Sequence, residues 1–520
     1  MDEIARYPIG IQTFSEIREM GMIYVDKTAI VHRLVNNYKY VFLSRPRRFG
    51  KSLLLSTIKA YLEGRKELFD GLAIDRLETK WETHPVLMLS LARYDADQKG
   101  SLEKILNTHL TRWEHEYGLA ETSDTVSERF HNVILSAYEK TGKRVVILID
   151  EYDAPIVSQL YDEEKQDRMR SMLKSVYTNL KDCDAYIRFA MLTGVSRFSK
   201  MTVFSGLNNL KDISLDDRYA EICGITTDEL RKNFTVGIDN LAVKLKTDRE
   251  GAITQLKANY DGYHFTEECP DIYNPYSLLN ALDERKLYYY WADTGTPSFL
   301  VELIKRKNMF LPEFFNESVE ERQLAASDIY RMSPTALLFQ TGYLTIKEIP
   351  EPFIFRLGVP NKEVRDSLFH VMADIYFGDD GAVGDSDIRQ LRDCFRRGDV
   401  DGAMRRLKAF LASIPYDLSH DRHEIYFENN LYIIFSLVGV EANTEWRTSD
   451  GRIDVVVRVP RFIYVMELKL DHPVTETLGQ IERKDYGRQF EFDGRPVIRL
   501  GIEFSRKTRD IVSWQVSETE

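Results

Sequence analysis

The stretch "FLSRPRRFGKSLLLST", residues 42–57, decides how the first half of the chain folds. It begins within the β-rich run "YVFLS" (40–44) and leads into "SLLLSTIKAYLEG" (52–64), where apolar residues recur at helical spacing up to a final glycine. The order of these runs predicts a buried strand, a short loop and a helix.

The loop ends in Gly50, Lys51 and Ser52, the last three positions of a phosphate-binding loop. Such a loop works because backbone N–H groups at a helix N-terminus point at phosphate oxygens. The lysine adds charge near the terminal phosphates, and the hydroxyl after it reaches Mg²⁺. The usual first glycine would fall where Arg45 stands, so Gly-Lys-Ser alone also fits a basic surface without a nucleotide. The predicted nucleotide contacts in this loop are Arg48, Gly50, Lys51, Ser52 and Leu53.

The arginine half of the loop departs from the usual pattern at its start. Pro46 stiffens the entrance and removes one N–H donor. We predict that Arg45 has a backbone conformation that a non-glycine residue tolerates. Arg47 and Arg48 either add charge towards a triphosphate or face a partner or nucleic acid.

Length and composition bound the class of protein. A chain of 520 residues exceeds the usual size of one hydrophobic core, so about two to four domains are expected. The hydrophobic fraction of 43% and charged fraction of 29% are those of a globular protein. No apolar run approaches the length that spans a bilayer, and no signal peptide is recognised, so a cytoplasmic location is expected. Four scattered cysteines argue against a disulfide framework or structural zinc.

The formal net charge of -12 is opposite to that of proteins that coat nucleic acid without sequence preference. Any contact with nucleic acid therefore has to use local basic patches. Near the C-terminus such positive charge comes from Arg452, Arg458, Arg461, Arg483, Lys484 and Arg488.

Further apolar runs separated by helical patterns extend the first region. They are "HPVLMLSLARY" (84–94), "RVVILIDEYD" (144–153) and "AYIRFAMLTGVS" (185–196). Short bounded runs of this kind are typical of buried parallel strands, so an α/β fold is predicted. The predicted division is a P-loop core at 1–225, a mostly helical lid or connector at 226–350, a helical linker at 351–414 and a C-terminal α/β domain at 415–520.

An acidic pair, Asp150-Glu151, ends the most apolar of these runs. An unpaired charge at the end of a buried strand is costly, whereas a Mg²⁺-bound nucleotide explains it. Asp150 is predicted to hold the metal and Glu151 to activate the attacking water as general base. The other interpretation is an acidic pair that caps the next helix.

Thr193 and Arg197 follow the next predicted strand. Thr193 is placed to sense the terminal phosphate. Arg197 is predicted to stabilise transferred charge, in cis or across subunits, and a loop arginine facing solvent is the equal alternative.

A second group of charged residues lies in the last hundred residues. "RIDVVVRV" and "FIYVMELKL" predict a hairpin that brings Asp454 beside Glu467 and Lys469. Residues i and i+2 of a strand share a face, so Glu467 and Lys469 lie together. Two carboxylates and a lysine suit a Mg²⁺-dependent attack on a phosphodiester, with both acids as metal ligands. A solvated face with a cross-strand salt bridge is the alternative.

The first 350 residues resemble the bacterial AAA-ATPase-like family. The resemblance rests on "YPIGIQTFSEIREMGMIYVDKT", "RPRRFGKSLLLST", "ILIDEYDAP", "LTGVSRFSKMTVFSGLNNL", "YDGYHF" and "YNPYSLLNAL". It implies a P-loop NTPase with Walker A and B motifs, a helical lid, and ATP with Mg²⁺ as ligands. The family's own loop carries "RPRRFGKS", so the missing first glycine is a trait of the family.

Residues 415–510 resemble the PD-(D/E)XK nuclease superfamily through "HEIYFENNLYIIF", "TSDGRIDVVV", "YVMELKL" and "QIERKDYGRQF". The resemblance implies that Asp454, Glu467 and Lys469 are the catalytic core, although Ile453 replaces the family's proline. By the same resemblance, the supporting residues are Glu424 (with Glu428 as a rival), Gln480 and Tyr486.

Three functions fit these features. The first is an ATPase whose nucleotide state gates or assembles a nuclease acting on DNA, or less readily on RNA. The second is a nucleotide-dependent switch with a degenerate, non-cleaving nuclease-like domain. The third is a nuclease for which the ATPase half is only an oligomerisation scaffold, and a homo-oligomer is compatible with all three.

Overall fold

The computed structural model describes most of the chain, and the statements below concern those residues only. The described residues are 6–95, 98, 100–119, 125–159, 162–197, 209–291, 318–324, 333–377, 385–413, 423–438, 441–443, 452–471, 490, 493–505, 507–508 and 510–518.

The chain forms two compact units, which are described separately. The first comprises Met1–Gly295 and Glu317–Val364, and the second includes Arg365–Glu520. The finer division predicted at residues 225, 350 and 414 stays a prediction.

A five-stranded, all-parallel sheet forms the centre of the first unit, which confirms the predicted α/β fold. Its strand order is β2-β3-β4-β1-β5. The strands are β1 Tyr40–Ser44, β2 Val86–Ser90, β3 Val145–Asp150, β4 Ile187–Gly194 and β5 Lys211–Asp212.

The central strands are buried on both faces because helices cover the sheet. Every residue of β1 and β3 is buried, as expected for the continuous apolar runs "YVFLS" and "VVILID". The helices of this part are α1 Phe14–Glu19, α2 Thr28–Asn37, α3 Lys51–Leu62, α4 Ala73–Leu77, α5 Ser101–Tyr117, α6 Val126–Thr141, α7 Ala154–Val157 and α8 Glu163–Asp182. Short 3₁₀ helices are Lys66–Phe69, Asp184–Tyr186 and Asp217–Ile222.

The rest of the first unit combines helices with small antiparallel sheets. Its helices are α9 Thr227–Asn233, α10 Thr235–Leu245, α11 Arg249–Tyr260, α12 Pro275–Glu284, α13 Glu321–Leu324 and α14 Pro334–Thr341. Strands β6 Ile225–Thr226 and β7 Ile272–Tyr273 pair with each other, and β8 Ser318–Glu320, β9 Thr345–Glu351 and β10 Ile354–Gly358 form a sheet in the order β8-β10-β9. Helices α9 to α12 pack around one apolar cluster that includes Leu230, Leu241, Leu256 and Leu278.

The second unit has a five-stranded mixed sheet of order β11-β12-β13-β14-β15, as in nuclease-like domains. Its strands are β11 Glu441–Asn443, β12 Arg452–Arg458, β13 Ile463–Leu470, β14 Val497–Ser505 and β15 Asp510–Glu518. Strands β12 and β13 pair antiparallel, which confirms the predicted hairpin, and β14 runs parallel to β13. The helices after residue 360 are α15 Lys362–Phe377, α16 Asp385–Arg397, α17 Val400–Ser413 and α18 His423–Val438.

Within the described part of the chain, no helix combines the length and the apolar composition needed to cross a membrane. All four cysteines (Cys183, Cys223, Cys269 and Cys394) are buried free thiols.

Candidate nucleotide site and candidate nuclease centre

The polar ends of three parallel strands meet at one edge of the first sheet. The last residue of β3, Asp150, pairs in register with Ser90 of β2. Thr193, near the end of β4, pairs with Leu43 just before the loop that follows β1. Carboxyl ends of parallel strands form the usual ligand crevice of open α/β sheets, so the predicted residues share one location.

Asp150 links the loop to the neighbouring strand through its carboxylate. Ser52 Oγ donates to Asp150 Oδ2 at 2.6 Å, and Thr193 Oγ1 donates to Asp150 Oδ1 at 2.8 Å. Asp150 is 4% exposed and Thr193 is fully buried. A hydroxyl and a carboxylate in contact form a donor set that suits Mg²⁺, which binds proteins through few carboxylates and completes its shell with phosphates and water. The two predicted metal ligands, Ser52 and Asp150, therefore have the chemistry that the ion needs, and Thr193 orients the carboxylate.

Lys51 lies at the start of α3, 5% exposed, and is held by the loop itself. Its Nζ donates to the carbonyl oxygens of Arg45 and Pro46, each at 3.0 Å. An ammonium group has three donors, which leaves a third N–H for an acceptor in the hollow beside it. Gly50 precedes the helix with φ 88°, a conformation that favours glycine.

Glu151 follows Asp150 in an uncommon backbone conformation. Its φ is 50°, in the left-handed region, and its N–H donates to Asp150 Oδ1 at 3.1 Å. Burial raises the pKa of the Glu151 carboxyl, Lys51 opposes this, and Asp150 adds to it. A raised pKa at a carboxyl that lines the hollow is what a general base needs.

A hollow of about 470 Å³ lies over the loop, within the size range of small-molecule sites. Lys51, Ser52 and Glu151 line it together with the predicted contacts Gly50 and Leu53. The exposed side chains of Arg47 and Arg48 also line it, which suits a polyanionic ligand.

Some residues that line the hollow were not among the predicted site residues. Residues 8–12 line it from the N-terminal segment, and Pro275, Tyr276 and Leu279 line it from α12. The Arg48 guanidinium lies 4.7 Å from the centre of the Tyr276 ring, as in a cation–π contact. These segments carry no charged motif, and only their occurrence in "YPIGIQ" and "YNPYS" marks them in the sequence.

The three loop arginines have different environments. Arg45 is 1% exposed, whereas Arg47 and Arg48 are exposed. Arg48 has φ 66°, and Arg45 is not among the described non-glycine residues with positive φ, which confirms the prediction for its backbone.

Arg197 is bound away from the hollow. Its Nη2 and Nε donate to Asp212 Oδ2 at 2.6 and 3.1 Å, and the two side chains are 9% and 6% exposed. Its backbone N–H donates to Gln340 Oε1 at 2.9 Å. Arg197 is thus neither a solvent-facing arginine nor a lining residue of the hollow. Its predicted role on transferred charge stays a prediction.

Asp153 is a buried residue of the same region that was not singled out from the sequence. Its Oδ2 accepts from Ser196 N at 2.6 Å and from Ser196 Oγ at 2.5 Å, and Val195 N donates to the same oxygen at 3.1 Å. Asp153 therefore fixes the chain between Thr193 and Arg197. Its position three residues after Asp150, in "DEYD", was the available signal.

In the second unit, the hairpin places the two predicted acids directly opposite each other. Asp454 of β12 pairs with Glu467 of β13, and Arg452 pairs with Lys469. Opposite residues of an antiparallel pair share one face of the sheet. Glu467 is 1% exposed, and its neighbour on β14 is Gly501. The side chains of Glu424, Asp454 and Lys469 lie outside what the structure describes, as do residues Gln480 and Tyr486.

Comparison with known proteins assigns a family to a segment in each half of the chain. Residues 8–204 match the AAA-ATPase_like family, described as a predicted AAA-ATPase, and residues 422–514 match the PD-(D/E)XK nuclease superfamily. The chain is 37% identical over 529 residues to a protein of Azotobacter chroococcum mcd 1 described as "Uncharacterized protein in vnfD 5'region". That alignment covers 98% of each chain. The chain therefore belongs to the family of AAA-ATPase-like proteins that carry a C-terminal PD-(D/E)XK nuclease-superfamily domain.

Proposed function

We propose that the chain binds and hydrolyses ATP with Mg²⁺ in its first unit, and that this nucleotide state gates a metal-dependent nuclease in its second unit. DNA is the proposed substrate of the nuclease. The observation that carries the proposal is the Ser52–Asp150–Thr193 contact set beside Lys51, at the edge of a parallel sheet.

The residues of the first unit divide into binding and catalytic roles. Lys51, with its third donor, would hold the terminal phosphates, and the backbone N–H groups at the start of α3 would bind phosphate oxygens. Ser52 and Asp150 would hold Mg²⁺. When bound, the ion neutralises charge on the phosphates. Phosphate oxygens of the nucleotide and water would complete the ligand shell of the ion.

Glu151 would take the proton of the attacking water. Its carboxyl lines the hollow, and burial raises its pKa towards the range in which a carboxylate is an effective base. Glu151→Gln keeps the shape of the side chain and removes this basicity.

In the second unit, Asp454 and Glu467 would hold a divalent cation, and Lys469 would orient or activate water for phosphodiester cleavage. The support is the register that pairs the two acids across the hairpin and puts Lys469 two residues further along.

The test is ATP hydrolysis and DNA cleavage measured on the same preparations in Mg²⁺, with and without DNA. Lys51→Ala is expected to lower ATP turnover by about a hundredfold or more, and Glu151→Gln by about 10²–10⁴-fold. Asp454→Ala and Lys469→Ala are expected to abolish cleavage and to leave ATP turnover intact. Lys59→Ala, at a half-buried position of the same helix where the lysine pairs with Glu63, is the matched control for Lys51→Ala.

The outcomes separate the three functions. ATP binding without turnover, together with no cleavage of any DNA or RNA tested, supports the nucleotide switch. Cleavage that is unchanged in Lys51→Ala supports the scaffold. Cleavage lost in both Lys51→Ala and Asp454→Ala supports gating.

A further inference from the structure

The side chain of Arg45 is almost completely buried in the first unit. Its Nη1 donates to the carbonyl oxygens of Ser44 and Ser214 at 2.9 and 2.8 Å, and its Nη2 donates to those of Tyr219 and Ala220, each at 3.4 Å. All four acceptors are main-chain groups. A guanidinium spreads its donors over a plane, so one side chain connects three separate stretches of backbone.

An aromatic face completes the environment of Arg45. The guanidinium carbon lies 4.2 Å from the centre of the Phe265 ring, and Phe265 also contacts Phe49 of the loop at 5.4 Å between ring centres. Burial lowers the pKa of Arg45 to about 10, so the group keeps its charge at neutral pH. The first half of the loop is thus bound to the β5–3₁₀ segment and to residue 265.

The backbone of Arg45 and Pro46 is in turn what holds Lys51. Both carbonyl oxygens accept from Lys51 Nζ at 3.0 Å, and Arg45 N donates to Gly194 O at 3.2 Å. Pro46 is enclosed on its other side by Gly342, where an added Cβ would lie 2.6 Å from Pro46 Cβ. The two carbonyls therefore have fixed positions, and they direct the lysine.

We propose that Arg45 is a positioning residue for Lys51. The usual glycine lets a phosphate loop turn freely, whereas here a buried cation anchors the backbone whose carbonyls orient the lysine. The proposal rests on the proposed nucleotide site and adds a residue to it. It predicts that the phosphate affinity of the loop depends on a side chain that does not line the hollow.

The test measures the dissociation constant of a Mg²⁺-bound, non-hydrolysable ATP analogue by calorimetry, well below the unfolding temperature of every variant. The variants are Arg45→Gly, which restores the usual loop residue, Arg45→Met and Arg45→Lys. Gly and Met are expected to weaken binding by about tenfold or more, and Lys by less. Inorganic tripolyphosphate should lose affinity by the same factor, because the effect acts through Lys51.

Arg33→Met is the matched control. Arg33 is an exposed arginine that contacts Arg218 and Tyr219 of the same 3₁₀ helix, and its loss should leave the dissociation constant unchanged. Wild-type affinity in Arg45→Gly would overturn the inference. The inference would also be wrong if the Arg45 variants unfold at a lower temperature but all bind with unchanged affinity. If the wild type binds neither the analogue nor tripolyphosphate, the proposed function fails, and the inference fails with it.

Discussion

At the scale of the residue, the candidate site is a set of polar groups that lie close together because the parallel strands carrying them end at one edge of the sheet. Asp150 is buried and would be costly there without partners, and it has two hydroxyl donors. Motif reading identified Lys51, Ser52, Asp150 and Thr193, because each follows an apolar run and the ends of parallel strands converge. It could not identify Tyr276, whose place beside Arg48 depends on how a distant helix packs.

The burial of Arg45 was equally beyond the sequence. Its partners are carbonyl groups, which every residue has, and all but that of Ser44 lie about 170 residues further along the chain. Only its tolerated backbone conformation followed from the residue type.

The first prediction concerns Glu151→Gln. Burial raises the pKa of this carboxyl in the folded protein above the ordinary value of 4.5. In the pH window between the ordinary pKa and the raised pKa, the unfolded chain therefore binds fewer protons than the folded one. Stability due to this group therefore falls as the pH rises through the window. Urea unfolding should show Glu151→Gln to be more stable than the wild type at pH 8, and no different well below pH 4.5.

Glu250→Gln is the control, because the pKa shift of Glu250 has the opposite sign. Its exposed carboxylate has a lowered pKa because Arg231 donates to it, so its removal cannot stabilise the protein at pH 8. The same stability difference for Glu151→Gln at both pH values would contradict the prediction.

At the scale of the element, periodicity and apolar runs predicted the four main strands of the first sheet and the hairpin of the second unit. Strand register could not be predicted, but alternation placed Glu467 and Lys469 on one face, and the hairpin in the structure pairs Asp454 with Glu467. The three-stranded sheet β8-β10-β9 was missed, because β8 has only three residues and all three strands lie within regions predicted as helical.

The second prediction compares two glycines that end helices. Gly342 ends α14 with φ 90°, and an added Cβ would meet Pro46 Cβ at 2.6 Å. Gly142 ends α6 with φ 66° and has nothing within 4 Å of that position. In urea unfolding, Gly142→Ala should cost about 1–2 kcal/mol, the conformational term alone. Gly342→Ala should cost roughly 1–3 kcal/mol more, because it also overpacks Pro46.

Pro46→Ala provides the internal check on that difference. Combined with Gly342→Ala, it should recover part of the additional loss, because alanine keeps Cβ but removes Pro46 Cγ, which would lie 2.8 Å from the added Cβ. Equal costs at the two glycines would show that Pro46 does not constrain the end of α14.

At the scale of the whole molecule, the negative net charge opposes the approach of nucleic acid. The net charge is -12, so the proposed binding of DNA needs a local basic surface, which we expect in the second unit. Arg461 is an exposed residue there, in the turn between β12 and β13.

The third prediction follows from this balance. Affinity for duplex DNA, measured by fluorescence anisotropy over a salt series, should fall with salt along a log–log line. Arg461→Ala should reduce the magnitude of its slope by about 1, the loss of one phosphate contact. Arg249→Ala removes an exposed arginine of the first unit that pairs with Asp239, and should leave the slope unchanged. An unchanged slope in Arg461→Ala would show that Arg461 does not contact the DNA.

The left-handed backbone of Glu151 has a consequence for mutational surveys of the whole chain. Glycine and asparagine adopt φ near 50° more easily than glutamate, so at this position they should raise the amount of folded protein in cells. The same substitutions remove the proposed base. A library scored once for abundance and once for ATP turnover should therefore rank substitutions at residue 151 in opposite orders.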